Sequence, residues 1–140
     1  KRGHRLVADD AVNIKQVAEN ILIGTAPESI RHFLEVRGLG VIDVKTIFGA
    51  GSIRNDIKIE MVIELVEWEN YKEGDRLGLE EEEIRILDSY ITKKTIPIRP
   101  GRNIAAIMEV AAMDYRLKAL GYNAALEFSK RLFDEINKNK

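Results

Sequence analysis

The 140 residues predict an α/β domain with a mixed sheet and flanking helices, and three observations carry that prediction. The stretch from His4 to Ala8 is short, apolar in its middle and ends at Asp9-Asp10, the pattern of a buried strand delivering two carboxylates at its C-terminal end. From Ile57 to Leu65 apolar residues alternate with mostly charged ones, as on a strand with one face buried. Asn103 to Leu120 has helical periodicity, with Asn103 as N-cap and Gly121 as C-cap.

The remaining elements follow in order. Val12 to Val17 and Ile21 to Ile23 read as two short strands turning at Glu19-Asn20. Thr25-Ala-Pro-Glu28 has the Thr-x-x-Glu form of a capping box with Pro in the first turn, which predicts a helix carrying Ile30, Phe33 and Leu34 on one face and stopping at Gly38. Asp43 caps a second short helix through Val44, Ile47 and Phe48, ended by Gly49. Asn70 to Glu83 is polar, holds Gly74 and Gly78, and reads as a mobile loop. Ile84 to Leu87 and Thr95 to Ile98 are candidate strands joined by a polar turn. A last helix from Asn123 to Ile136 is expected to bury Ala125, Phe128, Leu132 and Ile136, and Met108, Met113 and Tyr115 read as core at helical spacing.

Composition narrows the function classes. The formal net charge is -1 with no long run of one sign, against a general nucleic-acid binder, whose affinity needs clustered Lys and Arg. No apolar run approaches the ~20 residues that span a bilayer, so no membrane partner is expected. With no cysteine there is no disulfide and no thiolate chemistry, and a cytoplasmic protein is the simplest reading. The chain opens Lys1-Arg2-Gly3 without Met, in the manner of a helix C-terminus, and this reading expects sequence upstream that is not represented.

Four groups of residues could carry chemistry. Carboxylates at the end of a buried strand, here Asp9 and Asp10, can hold Mg²⁺ or take the proton of an attacking hydroxyl. Taken alone, the pair fits a turn or cap more readily. Glu35, beside the glycine-spaced turn Gly38-Leu39-Gly40, could reach a shared metal or form a surface ion pair with Arg31 or Arg37. Arg99 and Arg102 stand before the N-terminus of a long helix, held by Pro97, Pro100 and Gly101, and suit phosphate oxygens or a rigid turn equally. Arg76, in the polar loop, could close over a transferring phosphoryl group or be solvated. His32 near Glu28 and Glu35 on one helical face suits a solvated face better than a metal site.

In chain order, Arg5-Leu-Val-Ala-Asp-Asp10, Glu35-Val-Arg-Gly-Leu-Gly-Val-Ile-Asp43, Ile96-Pro-Ile-Arg-Pro-Gly-Arg-Asn103 and Glu109-Val-Ala-Ala-Met113 resemble the bacterial HPr kinase/phosphorylase family over essentially the whole chain. The resemblance implies a P-loop kinase-type fold related to phosphoenolpyruvate carboxykinase. The chain would be the C-terminal part of one catalytic domain, residues 1–140, lacking the P-loop and the strand before it. It also implies a bifunctional enzyme of bacterial carbon metabolism. Such an enzyme phosphorylates a serine of the phosphocarrier HPr with ATP or pyrophosphate and Mg²⁺, and removes that phosphate by phosphorolysis. The family partners are HPr and the other subunits of a homohexamer.

By the same resemblance Asp10 is the proton acceptor of the kinase direction and the donor of the reverse, and Asp9 and Glu35 are metal ligands. Leu34, Glu35, Val36, Arg37, Gly38, Leu39, Gly40, Val41, Ile42 and Asp43 form a segment important to both reactions. Arg76 is a catalytic arginine, and Pro97, Ile98, Arg99, Pro100, Gly101 and Arg102 form the segment tied to dephosphorylation. The departure is at the front. The family's G-x-x-x-x-G-K-[ST] loop, whose amides and Lys hold phosphates, occurs nowhere in these 140 residues. The expectation is therefore that this polypeptide alone is inactive. Its alternative reading is a non-catalytic fragment keeping partner or subunit contacts; the C-terminal helix stripe is a candidate contact for HPr or a neighbouring subunit, or could equally pack on its own domain.

Overall fold

The computed structural model describes residues 3–72 and 77–139. Along the chain run β1 (Asn13–Ala18), β2 (Ile21–Thr25), β3 (Phe33–Val36), β4 (Gly40–Asp43), α1 (Val44–Phe48), β5 (Asp56–Lys58), β6 (Met61–Glu67), β7 (Glu82–Ile86), β8 (Ser89–Ile98), α2 (Ile104–Ala119) and α3 (Ala124–Lys138). The strands form three small sheets, ordered β1-β2-β5, β3-β4 and β6-β8-β7. The expected mixed sheet is the last of these: β6 runs parallel to β8, and the turn at Leu87-Asp88 folds β7 back beside it. The described residues group into two compact units, within Lys1–Glu60 plus Arg85–Ile91 and within Met61–Ile84 plus Thr92–Lys140.

In the first unit, β1 and β2 form an antiparallel hairpin and β5 joins the free edge of β2. Leu22, Ala26, Val44 and Ile91 are its buried apolar residues, and Ser89 is fully buried beside them. Full burial of a side chain the size of Leu22 contributes about 2 kcal/mol. Asn20, at the hairpin turn, takes a left-handed backbone with φ 57°. From there it fastens the β7–β8 turn: its amide donates to Ser89 Oγ at 3.1 Å and its Oδ1 accepts from the Tyr90 amide at 2.9 Å. Gln16 Oε1 accepts from the Asp88 amide at 2.9 Å.

Three local expectations are corrected in this unit. His4 to Ala8 does not form a strand; Leu6 alone bridges to Ile53. Its partner lies between a 3₁₀ turn at Ala50–Ser52 and a bend at Asn55, so nothing is available to lengthen the ladder. The helix expected after Thr25 is a 3₁₀ turn, Glu28–Ile30, followed by β3. Thr25 is the last residue of β2, paired with both Asn13 and Asp56, so its backbone is committed to the ladder and cannot cap. His32 at φ 73° then breaks any helical path, and Gly38 and Gly40, both at positive φ, turn β3 back into β4. The single strand expected over Ile57 to Leu65 is two, with β5 in the β2 sheet and β6 against β8.

The short helix α1 is as expected, capped by Asp43 and closed by Gly49 at φ 91°. In the second unit, β8 is the central strand and contributes the buried Ile96. β8 begins at Ser89 rather than Thr95. The helix α2 matches the sequence reading within a residue. Asn103 Oδ1 accepts from the Ala106 amide at 3.1 Å. At the other end the Gly121 amide donates to Lys118 O and the Tyr122 amide to Leu117 O, a Schellman closure.

The inner face of α2 is Ile104, Ile107, Ala111, Tyr115 and Lys118, all half-buried. Met108 and Met113, expected in the core, lie off this face and are exposed. Burial pulls the Lys118 ammonium down, but hydrogen bonds and charge from Asp114 and Glu81 leave it net above its ordinary value. The helix α3 forms where expected, capped by Asn123. Its stripe of Phe128, Leu132 and Ile136 is nevertheless 51%, 39% and 59% exposed, because no described element covers that face.

Candidate active site

The segment carrying Asp9 and Asp10 is anchored by Leu6, whose amide donates to Ser52 O at 2.8 Å and whose carbonyl accepts from the Arg54 amide at 2.9 Å. Three residues on, Asp9 Oδ2 accepts from the Glu35 amide at 3.0 Å. Glu35 pairs with Val41 across the hairpin, and β3 has no second strand neighbour among the described residues. Asp9 thereby satisfies an amide on that free edge. The contact unites the carboxylate pair with the Leu34–Asp43 segment, so two motifs far apart in sequence meet in one unit. Asp9 is half-buried, while Asp10 and Glu35 are exposed and open to an incoming group.

The hairpin is closed at its far end by Asp43. Its carboxylate accepts from the Thr46 hydroxyl at 2.8 Å and the Thr46 amide at 3.1 Å. These bonds, the hydroxyl one foremost, hold the Asp43 carboxyl below its ordinary value, with a smaller contribution from the charge of His32. His32 shares no helical face with Glu28 and Glu35; its Nε2 lies 3.3 Å from Asn55 Oδ1. Among the described residues no three metal-ligating side chains cluster. Mg²⁺ characteristically takes only one or two carboxylates and completes its shell with phosphates and water. Asp9 on the Glu35 backbone fits that requirement, and Asp9 retains Oδ1 and further lone pairs.

The second unit contains the Pro97 to Arg102 segment. Parallel pairing of β6 with β8 sets Glu67 opposite Ile98, so Trp68 and Arg99 leave the two strands side by side. The Arg99 guanidinium lies 4.6 Å and that of Arg102 5.4 Å from the centre of the Trp68 ring. Arg102 also donates from Nη1 to Pro97 O at 2.8 Å and from its amide to Arg99 O at 3.2 Å, with Gly101 at φ 86° completing the turn. Trp68 is absent from the sequence reading. It follows an apolar strand like many aromatic residues, and only the β6–β8 pairing reveals its neighbour. Arg76 lies outside the described residues.

Comparison with known proteins identifies the family. The family described as HPr Serine kinase C-terminal domain matches residues 1–132. The HPr kinase/phosphorylase of Caldanaerobacter subterraneus subsp. tengcongensis is 59% identical over 136 residues, covering 97% of this chain and 45% of the relative. That of a Geobacillus species is 60% identical, covering 97% and 44%. The chain thus spans less than half the length of these curated relatives. The structure of the Hpr(Ser) kinase/phosphatase from Coxiella burnetii superposes with a TM-score of 0.79 at 34% identity, over 91% of this chain and 77% of the other. The mixed α/β arrangement is therefore that of the kinase C-terminal domain, and the chain belongs to the HPr serine kinase C-terminal domain family.

Proposed function

We propose that this chain supplies the proton-transfer and metal-binding carboxylates of a bifunctional HPr kinase/phosphorylase acting in the bacterial cytoplasm. The observation that carries the reading is the 3.0 Å bond from the Glu35 amide to Asp9, which joins the Asp9-Asp10 pair to the Leu34–Asp43 hairpin. In the kinase direction the seryl oxygen of HPr bonds to phosphorus as the donor P–O bond breaks. Asp10 then accepts the hydroxyl proton. In the reverse direction an oxygen of inorganic phosphate attacks the same phosphorus, the Ser O–P bond breaks, and Asp10 returns the proton to the seryl oxygen while pyrophosphate leaves. One exposed carboxylate serves both directions because the proton removed in one is the proton required in the other.

Asp9 and Glu35 would hold Mg²⁺, which when bound offsets phosphate charge. Arg76 is read as the arginine that stabilises the transferring group, and the Pro97–Arg102 segment as the part serving dephosphorylation. ATP or pyrophosphate is the phosphoryl donor, HPr the protein substrate and a homohexamer the assembly in this reading. Asp10→Asn in the full-length protein is expected to abolish HPr phosphorylation, by about 100-fold or more. Binding of Mg²⁺-nucleotide, followed by calorimetry, should change little. Loss of binding in step with activity would make Asp10 chiefly a metal ligand.

A second reading, of a non-catalytic fragment that keeps partner or subunit contacts, is favoured by two observations. The 140 residues contain no G-x-x-x-x-G-K-[ST] loop, and the apolar stripe of α3 is exposed. The two readings are compatible: the carboxylates belong to the enzyme, and the isolated chain lacks the phosphate cradle.

A further inference from the structure

The hairpin that carries Glu35 belongs to no larger sheet. Among the described residues β3 and β4 pair only with each other, and a two-stranded hairpin is marginally stable by itself in water. The place of Glu35 is therefore set by whatever ties the hairpin down. Two ties are Asp9, on the Glu35 amide, and Asp43, on Thr46. A third is His32, one residue before β3. Its carbonyl accepts from the Val44 amide at 3.0 Å, which closes the foot of the hairpin onto α1. Its Nε2 lies 3.3 Å from Asn55 Oδ1.

His32 takes a left-handed backbone, with φ 73°. That conformation leads the chain out of the 3₁₀ turn at Glu28–Ile30 and into β3. Glycine adopts it without steric cost, whereas a side chain there is destabilising, least so for Asn, Asp and His. A ring retained at a strained position points to a use for the ring. With its hydrogen on Nε2 the imidazole donates to Asn55, the residue just before β5. β5 is itself held in the sheet with β2, so this bond fastens the hairpin to a larger frame.

We infer that His32 is a positioning residue for Glu35: its backbone leads the chain into β3, and its imidazole, bonded to Asn55, fixes the foot of the hairpin so that Glu35 is held ready for a divalent cation. The inference rests on the reading of Glu35 as a Mg²⁺ ligand, and it adds the pair of residues that orders that ligand. His32 itself binds no metal in this reading; it acts through the hairpin.

The test uses the full-length protein and Mn²⁺, which accepts the oxygen ligands of Mg²⁺ and is followed by the paramagnetic resonance of the free ion. Asn55→Ala and His32→Gly should each weaken Mn²⁺ binding about fivefold, the loss of one partly exposed hydrogen bond. Both changes break the same bond, so the double variant should lose no more than either alone. Asn20→Ala, which destabilises the same unit without touching the hairpin, should leave Mn²⁺ binding unchanged. Unaltered binding in Asn55→Ala, full additivity in the double variant, or equal weakening by Asn20→Ala overturns the proposal. Glu35→Gln separates the proposal from the reading beneath it. If Glu35→Gln binds Mn²⁺ as the parent does, the reading of Glu35 fails and the proposal with it. Weakened binding in Glu35→Gln beside normal binding in Asn55→Ala and His32→Gly overturns the proposal alone.

Discussion

Asn20 performs three tasks with one side chain and one amide. It accepts a left-handed backbone, donates to buried Ser89, and accepts from the Tyr90 amide. Alanine tolerates that backbone poorly and has no acceptor, so Asn20→Ala should cost about 2 kcal/mol of unfolding free energy by urea titration. Asn20→Gly should recover only the backbone share of that loss. The turn at Glu19-Asn20 is legible from residue type, since Asn tolerates positive φ. Its partners are not, because Ser89 lies 69 residues away and nothing local marks it. The site behaves alike: Asp9, Asp10 and Glu35 stand out by type and order, whereas the amide that joins them is a main-chain group no motif displays.

At the scale of elements, capping chemistry was decisive where the backbone was free to use it. Asp43 and Asn103 each accept from the amide three residues on, as their spacing predicts. Thr25 has the same local form, but membership of β2 overrides it. A capping box is a local preference of a few tenths to ~2 kcal/mol, and two ladder pairings outweigh it. Asp43 also makes α1 sensitive to acid. Its carboxyl is depressed in the folded state, so its stabilising effect is complete above the ordinary Asp pKa of about 3.9 and fades as pH falls through the lower folded value. In a series of thermal melts, Asp43→Asn should lower Tm near neutrality and converge on the parent below about pH 4, so that the fall in Tm there is flatter.

The whole molecule carries more apolar surface than its core uses. Ile47 and Phe48 on α1, Val110 and Met113 on α2, and Phe128, Phe133 and Ile136 on α3 are all more than half exposed. Helical periodicity located α2 and α3 in the sequence, but periodicity states which residues share a face and not whether anything lies against it. Among the described residues no helix is long and apolar enough to cross a membrane. The absence of a G-x-x-x-x-G-K-[ST] motif is likewise a property of all 140 residues rather than of any one element. The 140-residue chain mixed with HPr and either ATP or pyrophosphate should therefore transfer no phosphate above background. The full-length protein assayed in parallel should do so, and turnover by the short chain would show that the motif is dispensable.

The stacking of two arginines on Trp68 has a spectroscopic side. This chain contains one tryptophan. Emission excited selectively from tryptophan, apart from the four tyrosines, therefore reports the corner where Arg99 and Arg102 lie over the ring, and drawing either guanidinium away should change it. The molecule carries its own optical probe at that corner, with no label to attach.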